Sequence, residues 1–212
     1  MSRKPIVIIF IGNVGAGKTT HISLAYSLLK KRGYKVHKTN IKTYFIITSL
    51  SSKLYLLQRT TWRIAIALDL LLNSIYLPLA IWFRTIVFPI ITKKHLVLVE
   101  EHLLGSLVDY IISAIILNLT PVTLPTIRLL FKLSRGITWH KIIYVIADKS
   151  LLPVRWRLRG TRTETRVYLL TQDLVFKIAT KHCSNVLYLD TTRDLSYNSH
   201  VCINFLLNEN KI

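Results

Sequence analysis

The chain is short of acid. Its 212 residues carry 10 Asp and Glu against 29 Lys and Arg, a net charge of +19, and the first acid in the sequence is Asp69. A surface this basic excludes cationic partners and calls for anionic ones: nucleotides, nucleic acid or an anionic membrane surface, among which charge alone does not choose. Cysteine is equally scarce. Cys183 and Cys202 are too few and too unpatterned for a disulfide framework or a zinc site, and both read as reduced packing residues. The seven histidines are scattered without metal-ligand spacing. A secretory leader is missing as well: the apolar run after Arg3-Lys4 spans only about seven residues and gives way to glycines instead of a small-residue cleavage site, so a cytoplasmic location is expected. What remains is 51% hydrophobic and 18% charged, which excludes general disorder and leaves side chains for a large core.

The glycines that are present are concentrated where they carry meaning. Ile6–Ile11 is an unbroken apolar run suited to a central parallel strand, and it leads into Gly12-Asn13-Val14-Gly15-Ala16-Gly17-Lys18-Thr19. This is the Gly-x-x-x-x-Gly-Lys-Thr pattern, in which glycines let consecutive backbone N–H groups curl around phosphate oxygens. The helix that follows adds the positive end of its dipole. The pattern implies binding of ATP or GTP, with Lys18 reaching the β- and γ-phosphates and the Thr19 hydroxyl completing the shell of a Mg²⁺ ion. Thr20 is expected to pack. Lys30-Lys31-Arg32-Gly33 closes the following helix with basic residues and a glycine stop.

Five short strands are expected at Ile6–Ile11, Lys35–Lys38, His95–Val99, Ile142–Ala147 and Val186–Asp190, separated by helical segments. That alternation predicts one α/β domain over residues 1–212, a parallel five-stranded sheet with helices on both faces. Ligands then lie beyond the carboxyl ends of the strands, where Glu100, Glu101, Asp148 and Asp190 fall. Between Tyr44 and Ile137 the sequence is unusually apolar, with no charge from Leu70 to Phe83 or from Tyr110 to Ile127. The first stretch contains Pro78, and the second contains Asn118, Pro121 and Pro125. Both fall short of the roughly 20 residues of a membrane span. They are expected to be buried helices or a dimer interface, with a peripheral membrane surface or an apolar substrate pocket as the alternative.

Two further clusters carry chemistry. Arg155, Arg157, Arg159, Arg162 and Arg166 surround Gly160 shortly after the strand that precedes Asp148. Beside a phosphate loop, such a segment predicts a lid near residues 153–167 that neutralises charge on a transferring phosphoryl group. Arg159 and Arg162 are the candidates for that role, together with Lys18. The bland alternative is a solvated basic face or a nucleic-acid patch. The acid continuing the third strand, Glu100, is the candidate to hold Mg²⁺ with Thr19, while Glu101 and His102 read as loop residues.

Taken together, the loop ending Gly17-Lys18-Thr19-Thr20 resembles the thymidylate kinase branch of phosphate-loop kinases. So do Phe88-Pro89-Ile90-Ile91 leading to an acid-tipped strand, Tyr144–Ala147 followed by Asp148 and an arginine-rich lid, the helical stretch Arg166–Ala179, and Val186–Thr191. The resemblance spans nearly the whole chain. It implies an ATP- and Mg²⁺-dependent transfer of phosphate to a nucleoside monophosphate, typically dTMP, by a homodimer. The chain departs from that family in three places: Ile11-Gly12-Asn13-Val14-Gly15 lacks both acids of a Glu-Gly-x-Asp/Glu-Gly pattern, Glu100-Glu101-His102 replaces an Asp-Arg-aromatic signature, and His37–Ile41 lacks an Arg-Glu-Pro element. These departures leave two other readings open. One is a kinase acting on a lipid-like or glycan-linked acceptor at a membrane surface, and the other is a nucleotide-switched nucleic-acid-binding protein.

Overall fold

The computed structural model describes residues 5–53, 59–121, 125–136, 141–160, 163–181 and 183–207. Its centre is a five-stranded, all-parallel sheet in the order β2-β3-β1-β4-β5. The strands are β1 (Ile6–Ile11), β2 (Val36–Asn40), β3 (Leu96–Glu100), β4 (Lys141–Ile146) and β5 (Val186–Asp190). Alternation along each strand sends side chains to two separate cores, as the pleat requires. Ile9, Ile11, Val97, Val99 and Ile142 face one helical layer, and Ile8, Phe10, Leu98, Ile143 and Val145 face the other. All ten are fully buried. Each such side chain contributes about 1.5–3 kcal/mol, so β1, apolar on both faces, belongs at the centre.

The second layer is made by α1 (Lys18–Lys31) and α9 (Leu195–Leu207), which pack on each other and on the sheet. Lys141, buried at the start of β4, ties the end of α9 to the sheet by donating to the carbonyls of Phe205 (2.7 Å) and Leu206 (3.1 Å). This places a cation on orphan carbonyls at a helix C-terminus. The first layer comprises α2 (Ile46–Lys53), α3 (Arg59–Trp82), α5 (His102–Ile116), α6 (Pro125–Gly136) and α8 (Arg166–Lys181). From α3 the chain continues through a π-helical turn, Phe83–Val87, into α4 (Phe88–Ile91). The last element, α7 (Leu152–Leu158), follows a 3₁₀ turn at Lys149–Leu151 and rests on the phosphate loop.

The predicted strand set is correct, with the ends of three strands shifted by one or two residues. β2 runs to Asn40 instead of Lys38, β3 takes in Glu100, and β4 begins at Lys141 and ends before Ala147. The apolar middle divides. Its second part makes the C-terminal half of α5 and the start of α6, with Tyr110, Ser113 and Ala114 buried and Ile115 and Leu119 exposed. Its first part does not meet the expectation of a buried helix and leaves the interface and membrane-surface expectations standing: Trp62–Ile91 is long and apolar enough to cross a membrane by length and composition, and only 39% of its most apolar window is buried. Its inner face is held by Asp69, which accepts from the backbone N–H groups of Ile47 and Thr48 and from the Thr48 hydroxyl.

Candidate active site

The phosphate loop sits where β1 ends, and two of its glycines are dictated by their neighbours. Gly12 has φ 150°, and a Cβ there would lie 2.2 Å from the Val145 carbonyl oxygen on β4. Gly15 has φ 87°, and its Cβ would meet the Trp156 indole nitrogen at 2.8 Å. The loop therefore tolerates no side chain at either position. Gly17, also left-handed, caps the start of α1.

Lys18 lies almost entirely inside this loop. Its ammonium donates to the carbonyls of Gly12 (2.8 Å) and Asn13 (3.2 Å) and stands 3.4 Å from the Glu101 carboxylate. Thr19, exposed beside it, donates to Glu100 at 2.5 Å. The structure thus brings Thr19 and Glu100 together and sets Glu101, read from sequence as a loop residue, against Lys18. Glu101 has φ 67° and His102 has φ 42°, a left-handed pair at the start of α5. Such a backbone costs about 1–3 kcal/mol per residue and persists only when its surroundings hold it. Here the Glu101 N–H donates to the Phe10 carbonyl and its own carbonyl accepts from Gly105. The kink aims Glu101 at Lys18.

Thr19 and Glu100 form an oxygen-only pair at the mouth of the loop. No cluster of three or more His, Cys, Asp or Glu occurs among the described residues. Two side-chain oxygens plus phosphate oxygens and water suit Mg²⁺, which keeps much of its hydration and seldom uses an all-protein cage. The donor set therefore fits that ion.

The predicted lid is in part a brace. Arg155 donates to the carbonyls of Gly15 and Ala16, each at 3.3 Å, and to Thr191 Oγ1 at 3.0 Å, while the Trp156 indole donates to the Val14 carbonyl at 3.0 Å. Neither residue was singled out from sequence, although both lie in the arginine cluster. Their one-turn reach from α7 onto the loop depends on packing that spacing does not reveal. Arg159 is exposed and lines a groove with Thr19, Thr20 and Ser23. It is therefore on the Thr19 side of the loop. Thr20, expected to pack, is exposed. Arg162 falls outside the described residues.

The long helix α8 grips the loop from the opposite side. Asn13 donates to Asp173 (3.0 Å), Val14 N–H donates to Gln172 (3.4 Å), and Lys149 before α7 also reaches Asp173 (2.5 Å). Below the loop lies a small cavity bounded by Lys18, Lys42, Glu101, Ser106, Asp109 and Tyr168. The Ser106 hydroxyl is buried there and has no hydrogen-bond partner among the described residues. Asp109 accepts from Tyr168 (3.0 Å) and from Thr43. Burial pushes its carboxyl up to about 6, and the nearby acids Glu101 and Glu164 push the same way, against the two hydrogen bonds. Sequence reasoning missed this cavity because its residues come from four separate segments.

The raised Asp109 has a measurable consequence. Between pH 4 and 6 the folded protein holds a proton that the unfolded chain has released, so this group's stability contribution is present at the acid end and lost as pH rises through about 6. The difference is on the order of 3 kcal/mol for a two-unit shift. Denaturant unfolding of Asp109→Asn against the parent across that window is expected to show the downward slope flattened; an unchanged slope would assign it to other groups.

No family profile and no curated protein sequence matches the chain. Solved structures do. A deoxyadenosine kinase from M. mycoides with the products dCMP and dCDP bound superposes with a TM-score of 0.56 at 16% identity, covering 95% of this chain and 98% of that one. A thymidylate kinase from Ehrlichia chaffeensis gives 0.53 at 15% identity, covering 96% and 100%. Likeness at this identity speaks to architecture: the chain has the α/β fold of the phosphate-loop nucleoside and nucleotide kinases.

Proposed function

We propose that the protein is an ATP-dependent nucleoside monophosphate kinase, with dTMP as its acceptor and dTDP and ADP as products. The observation that carries this reading is the juxtaposition of two spaces across one side chain. Lys18 belongs to the phosphate loop and also borders the cavity under it, so one cation faces both the donor position and a space that, at about 20 Å³, has to widen to admit the acceptor. An oxygen of the acceptor phosphate attacks the γ-phosphorus as the bond to the β–γ bridging oxygen breaks, and ADP leaves. The acceptor oxygen is already ionised, so no general base is required. The demand is electrostatic, because two anions must approach.

The chain's own residues meet that demand in stages. The loop N–H groups and the α1 N-terminus hold the donor phosphates. Lys18 exchanges its carbonyl partners for phosphate oxygens, and Lys42, on the cavity wall, meets the acceptor phosphate. Glu101 sets the resting position of Lys18 through their ion pair. Arg159 supplies charge from the lid, a role also proposed for Arg162. Thr19 and Glu100 would hold a Mg²⁺ ion, which would supply further neutralisation of the donor phosphates. Ser106 offers an unused hydroxyl to the acceptor's base or sugar.

The test of the acceptor is a panel of nucleoside monophosphates incubated with ATP, with dTMP expected to be converted fastest. A faster purine monophosphate would replace dTMP while leaving the kinase. The two adjacent acids also separate by role. Glu100→Gln is expected to raise the Mg²⁺ concentration for half-maximal activity more than Glu101→Gln does, because it is Glu100 that reaches Thr19. The reverse order in a Mg²⁺ titration would move the metal-holding acid by one residue.

A further inference from the structure

On the outer side of α3, Ile64, Leu68, Leu71, Ile75, Leu79 and Trp82 recur every three or four residues. Their exposures include 62% for Leu71, 64% for Ile75, 59% for Leu79 and 56% for Trp82. The spacing puts them in one strip along the helix, and Phe83, Ile86 and Ile90 extend it through the π turn into α4. From residue 64 to 90 the strip runs about 40 Å at 1.5 Å per residue. Half-exposed side chains of this size leave on the order of 1,000 Å² of apolar surface, above the roughly 300–600 Å² of the largest patch on a typical monomer.

The same face is marked by charge. Between Ile64 and Phe83 the sole ionisable carboxylate is Asp69, and it is buried on the inner side with backbone partners. Both ends of the strip are basic. Arg63 stands at one end. At the other, Lys93 and Lys94 follow Trp82, Phe83 and Phe88 closely in the chain, while Arg84 donates to the Asn40 carbonyl at 2.6 Å. His37 rests against the Phe88 ring at 4.8 Å, and its imidazole is pushed down by burial and then by Lys94 and Arg84, so these cations crowd one place.

We infer that this strip is a docking surface for an anionic lipid bilayer, with α3 lying in the plane of the headgroups and the aromatic, lysine-rich end anchoring it. Apolar side chains enter the acyl boundary, aromatic rings sit at headgroup level, and Lys and Arg meet lipid phosphates. The inner face of α3 carries core residues such as Ile66, Leu70 and Leu77, so the helix stays packed on α2 and α5 and rests on the membrane instead of crossing it. The area would also serve a second copy of the chain. Charge argues against that occupant: each chain carries +19, and with both ends of the strip basic, either direction of self-pairing sets cations against cations.

Flotation of the full chain with vesicles decides. The protein is expected to rise with phosphatidylserine-containing vesicles and at least about tenfold less with phosphatidylcholine alone. The triple variant Leu71→Glu, Ile75→Glu, Leu79→Glu should lose flotation at least about tenfold, and so should Lys93→Glu with Lys94→Glu. The three apolar positions are exposed, so their replacement leaves the fold intact. Leu174→Glu, an exposed leucine on α8, should float as the parent does. A parent that stays at the bottom of both gradients, or a triple variant that floats unchanged, would overturn the inference. So would a parent that is dimeric by light scattering, becomes monomeric in the triple variant and binds no vesicles, which would assign the strip to a second copy.

Discussion

Lys18→Ala is expected to leave a folded protein whose phosphoryl transfer is lower by at least about 100-fold. The folded-state part follows from its bonds: Lys18 is held by loop carbonyls and one carboxylate at the edge of the cavity, and it is absent from both apolar cores. The rate part follows from its position. An ammonium sealed from water faces charge that grows as the phosphoryl group moves, and such a group is worth far more than a screened surface lysine. Turnover and circular dichroism on the same preparation check both parts. Activity near that of the parent would remove the loop from the mechanism.

Gly12→Ala should have the largest effect on stability, a loss of about 3 kcal/mol or more, read by urea unfolding. Its added carbon would lie 2.2 Å from the Val145 carbonyl oxygen, and β4 cannot recede because Val145 is fully buried and its strand is paired on both sides. Gly33→Ala is the internal comparison. Gly33 also has positive φ, at 84°, but nothing lies within 4 Å of its added carbon, so only the left-handed backbone cost of about 1 kcal/mol applies. Equal losses in the two variants would show that steric contact at Gly12 contributes nothing.

The sequence made the sheet legible because β1, β3 and β4 are apolar on both faces and short, a pattern that an exposed helix or strand does not produce. The phosphate loop was legible for a related reason: its glycines answer to local geometry, and Lys18 and Thr19 follow at fixed spacing. The strand end at Glu100 came within one residue, which sufficed to pair it with Thr19. The brace of Arg155 and Trp156 and the cavity of Lys42, Ser106, Asp109 and Tyr168 were not legible, since each joins residues far apart in the chain. Sequence left the apolar stretch of α3 open between a buried helix, a dimer interface and a membrane surface, because hydropathy records how apolar a helix is and not which side of it meets the core. Its periodicity runs all the way round, with Ile66, Leu70 and Leu77 inside and Leu71, Ile75 and Leu79 outside.

The central claim is that one chain moves a phosphoryl group from ATP to a nucleoside monophosphate across Lys18. Incubation of the purified protein with γ-labelled ATP, Mg²⁺ and dTMP tests it most directly, followed by separation of the products. Label appearing in dTDP with the parent, and absent with Lys18→Ala, is the predicted result. Label released only as inorganic phosphate, or retained in ATP with every nucleoside monophosphate supplied, would contradict it.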